Sequence, residues 1–159
     1  MNNTETGCCP RFNPEPWNEK EITWENKLFV KDRVMSFWHI PLNFGSVMRR
    51  NMKKIDASIA KDKQDIIVLS DENSLWGADI YISVNKEIDG LHLEKVSGKF
   101  LTKVFEGSYS QMGKWICEMK TFLKSKGKEA KKILFFYTTC PKCAKVYGKN
   151  YVVLLAKIQ

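Results

Sequence analysis

Residues 34–41 (VMSFWHIP), 43–62 (NFGSVMRRNMKKIDASIAKD), 64–72 (QDIIVLSDE) and 78–84 (ADIYISV) follow one another in an order that returns later in the chain. The second pass runs 98–107 (GKFLTKVFEG), 108–127 (SYSQMGKWICEMKTFLKSKG), 131–139 (KKILFFYTT) and 151–158 (YVVLLAKI). Each pass reads as strand, helix of about five turns, strand, turn, strand, because an apolar period near four gives way to runs rich in Ile, Val, Phe and Tyr. The side chains differ between passes, so the repeat is one of pattern. It predicts an α+β fold of two βαββ modules, 34–97 and 98–159. These would form a mostly antiparallel sheet with two long helices on one face and a ligand groove at the module seam.

The chain of 159 residues is the size of one packed domain, and its 43% hydrophobic content argues for an ordinary core. No apolar run reaches the ~18 residues a membrane span needs, and the N-terminus lacks the pattern of a secretory signal. A cytoplasmic protein with no membrane partner is expected; the oligomeric state stays open. Net charge is +8, concentrated between residues 111 and 149, where ten lysines face only Glu118 and Glu129. Arginine, the usual reader of base edges, is confined to Arg11, Arg33, Arg49 and Arg50, so a solvated face is favoured over nucleic acid.

Residues 1–33 form an arm outside the repeat. Pro10, Pro14 and Pro16 exclude regular structure in its first part, and Phe12, Trp17 and Trp24 are apolar enough to pin it to the domain. A short strand is expected at 27–31. In the first helix Asn43 is the expected N-cap, with Met48, Met52, Ile55 and Ile59 at helical spacing. In the second, Ser108 and Gln111 suit a capping box, Met112, Trp115, Ile116, Met119 and Leu123 make one stripe, and Gly127 supplies the stop. Residues 132–140 are apolar on both faces, which calls for helices on one side and the arm, a ligand or a partner on the other.

The turn TTCPKCAKVYGKN carries Cys140 and Cys143 two residues apart. A structural zinc is one reading, with Cys9 and Cys8 of the arm, or His39, completing the ligands. A redox thiol pair and plain reduced cysteines are the others. A thioredoxin-type mechanism is disfavoured because Cys140 is not expected at a helix N-terminus. No cofactor is required by anything in the sequence. Cys117 reads as a small core residue.

The second half, with Gly107-Ser108-Tyr109 leading into its helix, and the duplicated layout resemble the GyrI-like effector-binding domains. That resemblance implies a binding protein for hydrophobic or aromatic small molecules, cations included, with Glu106 as the groove acid and Asp79 as second choice. Tyr109, Tyr81, Tyr137, Trp38 and Trp76 are the aromatic candidates for the ligand site. Sensor relatives carry a DNA-binding segment before this fold; none is expected ahead of Val34, which points to a stand-alone protein. Stand-alone relatives include hydrolases of strained electrophiles, for which Glu106 with a tyrosine would activate water; if the chain is an enzyme, hydrolase is the expected class. A macromolecule-binding, gyrase-inhibitor-like role is the third reading.

Overall fold

The structure, a computed structural model, describes residues 9–37, 40–58, 60 and 66–159. The chain divides into two compact units: residues 1–23 with 99–159, and residues 24–98. Its elements are β1 (Lys20–Phe37), β2 (Ile40–Pro41), α1 (Phe44–Ala57), β3 (Val68–Ser74), β4 (Gly77–Ser83), β5 (Leu93–Glu106), α2 (Met112–Ser125), β6 (Lys132–Tyr137), α3 (Pro141–Tyr147) and β7 (Tyr151–Lys157). None of the described helices is long and apolar enough to cross a membrane.

In the unit of residues 24–98, β4 lies between β1 and β3, antiparallel to both. Alternation along β4 turns Ile80 and Ile82 inward, with Val84 just beyond the strand, where they meet Val30, Val34, Val47 and Ile55. Helix α1 thus covers this sheet with Val47 and Ile55, while Met48 and Met52 pack at its margin. Ile59 lies outside the described residues. Asn43 precedes α1 as expected but does not cap it; its side-chain oxygen accepts from the Met35 amide at 2.7 Å.

The only buried amide on α1 is Asn51, which donates to the Val47 carbonyl (2.8 Å) and to Asp32 (2.7 Å). Asp32 also receives Arg50 at 2.7 Å and the Arg33 amide at 2.8 Å. Partial burial pushes its carboxyl up, but the Asn51, Arg50 and Arg33 hydrogen bonds outweigh this and hold it below the ordinary aspartate value. Asp79 behaves alike, burial being outweighed by Arg33 (2.8 Å), Asn73 (2.8 Å) and Lys31. A depressed folded-state pKa adds stability that is present above the unfolded value and is lost as pH falls through the folded one. Urea midpoints should therefore fall as pH is lowered from 5 towards 3 (~1 unit either side of an unfolded aspartate). Asp32→Asn should flatten that slope; an unchanged slope would refute the linkage.

In the other unit β7 lies between β5 and β6, again antiparallel. Helix α2 presents Trp115, Met119 and Leu123 to Leu101, Phe105, Phe135, Val152, Leu154 and Ala156. Met112, Ile116 and Ile133 flank them, so the helical stripe and one face of β6 are as expected. Each buried side chain of this size contributes ~1.5–3 kcal/mol. Gly127 ends the helix at φ 65°, and Lys120 and Lys124 face solvent. The opposite face of β6 carries Phe136, whose ring meets Phe12 at 5.9 Å and Trp17 at 5.1 Å, both edge-on. The arm is thus the cover at Phe136. Thr102 donates to the Trp17 carbonyl, and Asn18 accepts from the Val104 amide at 3.2 Å.

The expected arrangement of two long helices on one face of a sheet, and the seam groove that went with it, are overturned. β1 and β5 pair with each other as well as with β4 and β7, so these two strands have partners on both edges. Lys31 donates to the His92 carbonyl in one unit, and Thr102 to the Lys20 carbonyl in the other. Long strands coil and curl once both edges are occupied. β1 has 18 residues, where a short strand at 27–31 was expected. The alternation of Ile22 and Trp24 with Glu21, Thr23 and Glu25 carried that signal, masked by charge. Helices α1 and α2 have 14 residues each, about four turns, and each packs on the strands of its own unit.

Three local expectations also change. Ser108 accepts from the Ser110 amide at the head of a 3-10 turn (Tyr109–Gln111) and does not box with Gln111. The tight turn after Cys143 is instead α3, with Cys140 as its N-cap residue and Gly148 closing it at φ 70°. Cys117 is exposed, since it sits on the flank of α2 away from Met119.

Candidate functional site

Three thiols converge in the unit of residues 1–23 and 99–159. The sulfurs of Cys9, Cys140 and Cys143 all lie within 4.8 Å of one another, with Cys143 fully buried and the other two half-buried. None of the three is in a disulfide. Their meeting has a local cause. Phe12 and Trp17 anchor the arm on Phe136, and the Tyr147 hydroxyl donates to the Cys9 carbonyl. The Arg11 guanidinium lies over the Tyr147 ring, 4.6 Å from its centroid. Helix α3 supplies the other two sulfurs three residues apart, one turn along one face.

Such a trio could hold a metal ion. Tetrahedral zinc with Zn–S bonds of about 2.3 Å spaces its sulfurs by about 3.8 Å, so the observed limit needs only small rotations. Cys8 and His39, the other ligand candidates, lie outside the described residues.

Of the aromatic candidates, Tyr109 and Tyr137 come together, ring centroids 5.3 Å apart and edge-on. The Tyr109 hydroxyl lies 3.5 Å from Asn150 Oδ1. Burial pushes its pKa up, the Cys140 thiol adds to this, and Asn150 opposes it, so the hydroxyl stays a proton donor. Glu106 ends β5, exposed. Strand alternation aims it away from Phe105, which stacks on Trp115, and so away from the face Tyr137 shares with α2.

In the unit of residues 24–98, Tyr81 is buried under Phe29 and Lys31. Asp79 is bound to Arg33 and Asn73. Trp38 lies outside the described residues. Trp76 is different: it is 61% exposed and its ring meets that of Phe37, 52% exposed, at 5.7 Å. Met35, two residues before Phe37 on the same strand face, is exposed too. The Phe37 contribution was missed in the sequence because 34–41 read as one strand with Trp38 as its aromatic. Counting alternation from buried Val34 and Ser36 would have found it.

A shallow dish lined by Lys124, Lys128, Lys131 and Ile158 has no aromatic wall.

A family model described as Bacterial hydrolase matches residues 1–158. Among solved structures, one titled "The structure of SAV2435 bound to TETRAPHENYLPHOSPHONIUM" has a TM-score of 0.53 at 11% identity, over 88% of this chain and 93% of that one. At that identity the likeness is one of fold. No curated protein matches. Neither finding singles out the GyrI-like branch. With its model spanning nearly the whole chain, the protein belongs to the Bacterial hydrolase family.

Proposed function

We propose that the protein binds hydrophobic aromatic small molecules, cations among them, inside the cell. The observation that carries this reading is the Phe37–Trp76 pair, two rings side by side and more than half exposed. Large exposed apolar surface is a liability unless something covers it, and paired rings suit a flat or cationic guest. The fold likeness to a protein bound to tetraphenylphosphonium supports the choice of guest.

Calorimetric titration with tetraphenylphosphonium should give saturable binding. Trp76→Ala should weaken it by about tenfold or more, the loss of one good stacking or cation–π contact. Equal affinity in Trp76→Ala would remove Trp76 from the site. Loss in Tyr109→Ala instead would place the site at the Tyr109–Tyr137 pair.

Membership of the Bacterial hydrolase family favours a second reading, hydrolysis of a strained electrophilic small molecule. Here water would add to the strained carbon, Glu106 would take its proton, and a tyrosine on the Glu106 face, such as its cross-strand partner Tyr151, would protonate the leaving atom. Turnover of such a substrate should drop by about 10²-fold or more in Glu106→Gln. Turnover equal to wild type would end the role given to Glu106.

To the thiol trio we assign zinc, because thiolates are soft donors and a Cys-rich set favours it. In this reading the ion is structural.

A further inference from the structure

Resting on that zinc assignment, we infer that the ion works as a fastener: it clasps the start of the arm to α3, so that the seating of residues 9–12 depends on bound metal.

The placement of the ligands carries the argument. Cys140 and Cys143 belong to α3, whereas Cys9 belongs to the arm, so one ion would join segments at opposite ends of the sequence. Next to Cys9 the arm has modest polar holds: the Tyr147 hydroxyl on the Cys9 carbonyl and Arg11 over the Tyr147 ring. Phe12 then lies on Phe136 and Tyr151, the latter at 5.8 Å. Further along, Trp17, Asn18 and the Glu19–Lys103 pair (2.8 Å) fix the arm independently of the thiols. The part of the arm before Phe12 is thus the part a metal would decide.

Removing the ion takes away the strongest tie on that stretch. Cys9 and the Arg11–Phe12 bond would then lift from the sheet, while the core beneath α2 stays formed. Arg11 is exposed, and it is the first basic residue of the chain, Lys20 being the next. Cleavage after Arg11 therefore reports directly on this stretch.

The full-length protein, purified without a histidine tag, is assayed for metal and then digested briefly with trypsin, with zinc and after chelation. About one zinc per chain is expected. Cobalt substitution should give thiolate charge-transfer bands that Cys9→Ser and Cys140→Ser each abolish. Cleavage after Arg11, followed by mass, should be at least about tenfold slower with zinc than without. In Cys9→Ser it should be fast in both conditions, with the circular dichroism of the fold retained. No bound zinc and no cobalt bands would overturn the zinc assignment and the fastener with it. Stoichiometric zinc with equal cleavage rates would leave the assignment standing and overturn the fastener alone. Cys9 is half-buried, so this variant tests the clasp without opening the core as a change at Cys143 would.

Discussion

Trp115→Ala should lower the free energy of unfolding by about 3–5 kcal/mol, the usual range for deleting a buried tryptophan. Trp115 is buried on α2 and stacks on Phe105 with centroids 5.7 Å apart and planes 26° apart. Met119 and Leu123 follow it on the same face, so the vacated space has helix on one side and β5 and β7 on the other. The strands cannot close in without breaking ladder hydrogen bonds, and Met119 and Leu123 hold the helix at its distance, so the cavity persists. Trp115→Phe should cost clearly less, because most of the stack survives. Urea unfolding followed by circular dichroism measures both. A loss under about 1 kcal/mol in Trp115→Ala would mean that α2 is not the cover of this sheet.

Phe136→Ala should rank second, at about 3–5 kcal/mol. Part of the cost is burial and part is two edge-on aromatic pairs, worth about 0.5–1.5 kcal/mol each beyond area. The partners are Phe12 and Trp17 of the arm. The variant should therefore do something that Trp115→Ala does not: loosen the arm while α2 keeps its seat. Trypsin cleavage after Arg11 should rise even with zinc present. Normal arm protection in a destabilised Phe136→Ala would show that the arm is held without its aromatic anchors.

Much of this was readable in the residues. The stripe from Met112 to Leu123 announced α2 and the face it buries, because a period of 3.6 has no other explanation on such a segment. The double-sided apolar character of 132–137 announced two covers, and Phe12 and Trp17 announced which segment could be one of them. The nearness of Cys9 to Cys140 and Cys143 was legible as a choice among readings, since the prolines forbade any other regular use of the arm. The ordinary aspect of β1 was not legible: charged residues fill its exposed face, and alternation with Glu and Lys looks like a loop to a reader of hydrophobicity. Helix α3 was missed for a similar reason. Its seven residues are too few to show a period, and its boundary residue Gly148 was read as part of a tight turn.

Residue chemistry by itself determined which faces are apolar, which stretches hold the two longer helices, and which side chains could bind a metal or an aromatic guest. Those properties depend on neighbours in the chain, and the chain lists its neighbours. Tertiary structure alone decided that β1 and β5 pair with each other and so have partners on both edges, that Glu106 looks away from Tyr137, and that Phe37 and Trp76 meet in the open. It also brought three thiols within 4.8 Å. Contacts of that kind join segments far apart in sequence, and they are fixed by how strands twist and which edges find partners. No local pattern records them.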